Sequence, residues 1–138
     1  MIVVDVNVLI YALVAGPNSD AARRVFDADP EWIAPSLLQH EFLNVLATLE
    51  RKGVMSAGDC QKTWQHAVKL IGNGLVETEP AATLKLAMKH RVTSYDAQYI
   101  QVALAEGLPL VTEDAELLRK FPKTAVSIQA FLKTRGIQ

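Results

Sequence analysis

A chain of 138 residues has the length of one domain with a buried core, and a single domain over residues 1–138 is expected. Half of it is apolar and 21% is charged, with seven Gly and six Pro, which excludes a disordered tail, a collagen-like fibre and a low-complexity segment. Fourteen Lys and Arg against fifteen Asp and Glu give a formal net charge of −1, so the chain is not a bulk polycation that would grip nucleic acid through charge alone.

The opening Ile2-Val3-Val4 is apolar without alternation, as in a strand buried on both faces of a parallel sheet, and it ends on Asp5. A helix is predicted from about Asn7. Its apolar run Val8 to Ala15 has eight residues, against about 20 for a membrane span, and no basic segment leads into an apolar stretch as in a signal peptide. A cytoplasmic protein without membrane contact is expected. After the break Gly16-Pro17-Asn18-Ser19, a second strand is predicted at Trp32-Ile33-Ala34. Ser36-Leu37-Leu38-Gln39 has the form of a capping box, and Leu38, Phe42, Val45, Leu46 and Leu49 then recur at helical spacing until Gly53. The next helix starts at Ser56 and keeps Cys60, Trp64, Ala67, Val68 and Ile71 on one side; a lone cysteine makes no internal disulfide, in keeping with a reducing compartment. Beyond Gly72-Asn73-Gly74 come a strand at Leu75-Val76-Glu77 and a helix from Pro80 to about Arg91 with Leu84, Ala87 and Met88 as its apolar side. A helix from Ser94 stops at Gly107-Leu108-Pro109, and strands at Leu110-Val111-Thr112 and Ala125-Val126-Ser127 each precede a short helix. Strand and helix alternate throughout, which predicts an α/β fold with a parallel sheet covered by helices.

In an open parallel sheet, ligands bind beyond the carboxyl ends of the strands. Asp5 and Asp114 stand at two such ends, where capping the helix that follows is the better explanation of either one alone. Asp96 shares a helical stripe with Ile100, Ala103 and Gly107, which puts a carboxylate in the middle of the apolar side of its helix. Glu41 lies on the border of its own stripe, where a salt bridge is as good an explanation as a site. Together the four could converge on one cleft. Like charges at close range repel unless a cation sits among them, and oxygen-only ligation suits Mg²⁺ or Mn²⁺ rather than zinc. Such a site supports phosphodiester hydrolysis. Removing its four acids leaves fourteen basic against eleven acidic residues elsewhere, a balance of +3. The run Lys85, Lys89, His90, Arg91 is available to a phosphate backbone, though solvation alone also accounts for it. His40, His66 and His90 form no i, i+4 pair, and neither a nucleophile elbow nor a P-loop is present. A haloacid dehalogenase-like phosphohydrolase would need Asp-x-Asp where Asp5-Val6-Asn7 stands, and a receiver domain would need an acidic pair there and an Asp after the third strand.

The stretches Val4 to Tyr11, Ser36 with Glu41, Ser94 to Ala105 and Leu108 to Asp114 resemble, in order and spacing, the four motif regions of PIN-domain ribonucleases, and most closely the VapC toxins of toxin–antitoxin pairs. The resemblance covers residues 2 to about 130 and implies an α/β/α sandwich with a small central parallel sheet. It implies that Asp5, Glu41, Asp96 and Asp114 bind Mg²⁺ or Mn²⁺, with Asn7 and Thr112 as supporting polar residues. Further implications are an endoribonuclease acting on RNA, a cognate antitoxin that blocks the cleft, and a homodimer built from apolar helix faces. Val6 stands where relatives often carry Ser, Thr or Ala, which removes a hydroxyl but no ligand. The competing expectation is a catalytically idle module of the same fold that binds RNA or a protein partner.

Overall fold

The computed structural model describes residues 1–137. Strands β1 (Ile2–Val4), β2 (Trp32–Pro35), β3 (Leu75–Val76), β4 (Leu110–Val111) and β5 (Ala125–Val126) form one sheet in the order β3-β2-β1-β4-β5. Every pairing is parallel, with Ile2 opposite Trp32 and Val4 opposite Val111 flanking the central strand. Ile2, Val3 and Val4 have no exposed surface although successive side chains point to opposite faces, so both faces of the sheet are covered.

The cover is helical: α1 (Val6–Leu13), α2 (Ser19–Ala28), α3 (Leu37–Arg51), α4 (Ala57–Ile71), α5 (Pro80–His90), α6 (Ser94–Glu106), α7 (Ala115–Lys120) and α8 (Ile128–Thr134). Helix α6 packs on β1, β2 and β4, while α3 and α4 pack on β2 and on each other. Among the described residues no helix is long and apolar enough to cross a membrane. Six helices start on a side chain that accepts a hydrogen bond from a free first-turn amide, namely Asp5, Ser56, Glu79, Thr93, Asp114 and Ser127.

Three local expectations are revised. The capping box at Ser36 does not form: the backbone of Ser36 is already helical and its side chain makes no cap bond. Its amide instead donates to the Val76 carbonyl at 2.9 Å, extending the β2–β3 ladder, so the sheet takes the residue that the helix would have used. On α5 the innermost residues are Thr83 and Ala87, with Leu86 half-buried against the core, while Leu84 and Met88 are 55% and 58% exposed. On α4 the buried row is Thr63, Ala67 and Ile71, with Val68 outside it. Helix α2 adds to the predicted elements; the Ser19 hydroxyl ties its start, donating to the Val14 carbonyl and accepting from the Gly16 amide.

Two backbone positions give opposite expectations. A Cβ on Gly74 would collide with the Trp32 carbonyl oxygen where the chain enters β3. Arg91, the C-cap of α5, sits in the left-handed region at φ 57°, which a residue with a Cβ adopts at a cost of about 1 kcal/mol. Thermal melts should therefore show Gly74→Ala destabilised by roughly 1–3 kcal/mol and Arg91→Gly stabilised by up to about 1 kcal/mol. Equal melting of Gly74→Ala and the parent would refute the close approach.

Candidate active site

The sheet order makes a crevice. The chain leaves β1 toward β2 on one side, while β4 lies on the other side of β1, so connections diverge between the carboxyl ends of β1 and β4. Asp5 follows β1 and Thr112 follows β4, with Asp114 two residues on. Helix α6 feeds the parallel strand β4, so its first turn, carrying Asp96, lies at the same edge of the sheet. Helix α3 departs from that edge of β2 with Glu41 in its second turn.

Asp5 is 6% exposed. Its Oδ1 accepts from the amides of Asn7 at 3.0 Å and Val8 at 3.2 Å, and its Oδ2 accepts from the Thr112 hydroxyl. Burial pushes its carboxyl up to about 6, the three hydrogen bonds pull it partly back, and the like charge of Asp114 adds to the rise. Thr112 is fully buried; it donates to Asp5 and accepts the Asp114 amide at 3.0 Å, so one hydroxyl links the two strand-end acids. Asp114 caps α7 through Oδ1, which accepts from the Leu117 amide at 2.9 Å.

Asp96 is half-buried, and partial burial raises its carboxyl first, followed by the charges of Asp114, Glu116 and Glu41. The buried side of α6 is Ala97, Tyr99, Ile100, Val102 and Ala103, so Asp96 stands on the border of that stripe rather than in its middle. The first turn of α6 projects to the open edge of the sheet, which leaves the carboxylate partly wet. Glu41 is also half-buried, and its Oε1 accepts from the Tyr99 hydroxyl at 2.6 Å. Tyr99 is the residue that the sequence left without a role. Its signal there is an aromatic hydroxyl on a buried stripe, which needs a polar partner. Asn7 is exposed at the second position of α1; its amide proton, not its side chain, reaches Asp5.

The four acids thus influence one another around one crevice. Among the described residues, no three His, Cys, Asp or Glu side chains stand together at ion-binding distance. Nor does any of the four acids form an ion pair there; the pairs fall on Asp29 and Glu116. Neutral donors support the charge, from Thr112, Tyr99 and three backbone amides. An oxygen-only set of this kind, with a desolvated aspartate and no cationic partner, matches the chemistry of a hard divalent ion.

The PIN domain matches this sequence over residues 2–123. The chain belongs to the PIN-domain family. It is 30% identical over 125 residues to Ribonuclease VapC3 of Pyrobaculum aerophilum, across 88% of this chain and 95% of that protein. Among solved structures, PAE2754 from Pyrobaculum aerophilum is similar at a TM-score of 0.76 and 25% identity, covering 99% of this chain and 96% of its own. A toxin–antitoxin complex from Klebsiella pneumoniae is similar at a TM-score of 0.68 and 17% identity, over 93% of this chain and 98% of that one, a likeness of fold alone. All of α1 to α7 and the first four strands lie within the matched region of this PIN domain.

The burial of Asp5 makes the metal-free PIN domain sensitive to pH. Its folded pKa of about 6 lies above that of an unfolded aspartate, so the folded state binds the proton more tightly. Stability on this account is full below about pH 4 and falls as Asp5 ionises, with the loss complete above pH 6 and worth about 3 kcal/mol. Melts in chelator from pH 4 to pH 8 should show Asp5→Asn gaining on the parent by that amount as pH rises. A constant difference between the two proteins would assign the titration elsewhere.

Proposed function

We propose that this PIN domain is a metal-dependent endoribonuclease, the toxin component of a toxin–antitoxin pair, hydrolysing RNA phosphodiester bonds in the β1–β4 crevice. The observation that carries the reading is the convergence of Asp5, Asp96, Asp114 and Glu41 on one edge of the sheet, each a carboxylate without a cationic partner among the described residues. Likeness to Ribonuclease VapC3 over nearly the whole of both chains supports RNA as the substrate. The toxin–antitoxin complex of similar fold supports an antitoxin partner. A homodimer agrees with the apolar side chains left open on α5 and α6, Leu84, Met88 and Leu104.

In this reading Asp5, Asp96, Asp114 and Glu41 hold Mg²⁺ or Mn²⁺. When bound, such an ion lowers the pKa of a water and stabilises the oxygens of an in-line displacement. The chain's own residues prepare for that chemistry. Thr112 fixes the plane of the Asp5 carboxylate and, through the Asp114 amide, the start of α7. Asn7, exposed at the mouth of β1, is free to hydrogen-bond a water or an RNA oxygen. Burial above all, and then the repulsion of neighbouring acids, raises the carboxyls of Asp5 and Asp96, and the repulsive part is what a cation would relieve.

The idle-module alternative draws on one observation, that no three acids stand at ion-binding distance among the described residues. Calorimetric titration of Mn²⁺ together with cleavage of a circular RNA, which only an endonuclease opens, separates the two. The parent should bind and cut. Asp5→Asn and Asp96→Asn should each lose at least about 100-fold in rate, beyond the 10–100-fold typical of removing a supporting partner. Asp96→Asn should keep its fold and melt higher without metal, since it removes a repelling charge. A parent that binds no Mn²⁺, with or without RNA, would give the reading to the idle module.

A further inference from the structure

Tyr99 lies three residues after Asp96, on the same side of α6, and is 3% exposed. A phenol buried so deeply needs a partner for its hydroxyl, and it finds one 58 residues away in sequence, in the carboxylate of Glu41 on α3. The bond is short, at 2.6 Å, as expected for a neutral hydroxyl donating to a charged oxygen. It engages Oε1 alone; Oε2 of Glu41 takes no hydrogen bond among the described residues. One oxygen is held and the other is left available.

The remaining acids show why this matters. Asp5, one residue past β1, is oriented by two amides and Thr112, and Asp114, three residues past β4, by an amide. Glu41 has no such local support. It sits on a helix border with three rotatable side-chain bonds, and an unheld glutamate there would lose rotamer entropy on binding anything. The only hydrogen bond on its side chain among the described residues comes from α6, the helix that also carries Asp96. Two acids from separate helices are therefore referenced to one scaffold.

We propose that Tyr99 is a positioning residue for the metal site: its hydroxyl holds the carboxylate of Glu41 in place, so that affinity for a divalent ion depends on a tyrosine that does not itself touch the ion. This rests on the reading of the four acids as a metal site. Supporting partners of metal-binding carboxylates typically contribute 10–100-fold in affinity.

The test is calorimetric titration of Mn²⁺ into the metal-free full chain as parent, Tyr99→Phe, Glu41→Gln and the double variant, with thermal melts of each in chelator. Tyr99→Phe should weaken Mn²⁺ binding about 10-fold or more while keeping the aromatic ring packed in the core. Glu41→Gln, which retains three acids, should bind more weakly still, and adding Tyr99→Phe to it should change the affinity no further. A packing role alone would lower the melting temperature of Tyr99→Phe and leave Mn²⁺ affinity at the parental value, and that result overturns the proposal. An equal loss from Tyr99→Phe in the presence and absence of Glu41 also overturns it. If Glu41→Gln binds no Mn²⁺ at all, the affinity of Tyr99→Phe alone decides. Failure of the parent to bind Mn²⁺, with or without RNA, removes the metal site itself and the role of Tyr99 with it, whereas parental binding with an unaffected Tyr99→Phe removes only the latter.

Discussion

The arrangement at the carboxyl edge of the sheet depends on one constraint: a carboxylate must be buried where the central strand ends. β1 has no exposed side chain, and the chain emerges from it directly onto Asp5, still only 6% exposed. No cation is at hand among the described residues, so the charge is met by dipoles. Two come from the first turn of α1, which fixes where that helix begins, and the third is the hydroxyl of Thr112, which fixes how β4 ends. A single side chain thereby ties the first turn after β1 to the end of a strand 107 residues further along. The crevice between β1 and β4 owes its shape to that tie.

Capping and catalysis are usually weighed as rival explanations for an acid at a helix start, and here they are compatible. Asp5 and Asp114 do cap α1 and α7, and each does so through Oδ1. A cap uses one oxygen of a carboxylate and holds the group at a defined angle; the second oxygen of Asp114 remains unbonded among the described residues. The helix therefore prepares the acid instead of consuming it. Glu41 lacks such a helix start and obtains the same restraint from Tyr99, at the expense of burying a phenol in the core of α6.

Much of this was legible in the sequence because the relevant signals are local. The three apolar residues before Asp5 lack alternation, which only a strand covered on both faces explains, and Gly-Pro punctuation marks the ends of α1 and α6. The features that escaped are those settled by a neighbour. Ser36 has the spacing of a capping box, yet its amide belongs to a ladder with β3, forty residues on. Leu84 and Met88 follow helical periodicity, yet the side of α5 that turns inward carries Thr83, Leu86 and Ala87, a choice made by the elements packed against the helix. Asp96 has the spacing of a core residue but sits where its helix runs past the sheet. Tyr99 shows in the sequence only as a buried hydroxyl in need of a partner, and that the partner is Glu41 is decided by the packing of α3 beside α6.

The wide spacing of these acids along the chain has an energetic consequence. Residues 5, 41, 96 and 114 are brought together only by the folded sheet, so an ion that binds all of them binds the native state and not the unfolded chain. The unrelieved charges weaken the fold near neutral pH, where burial disfavours ionised Asp5 and repulsion adds to the raised carboxyl of Asp96. Binding a cation would offset that weakness and stabilise the domain further by an amount that grows with the logarithm of ion concentration over Kd. On the proposed function, stability and readiness for chemistry are then set by the same carboxylates. A domain tuned this way would be least stable when metal-free at neutral pH, and each neutral donor around the crevice, Thr112 above all, keeps that metal-free state folded while leaving its acids ionisable.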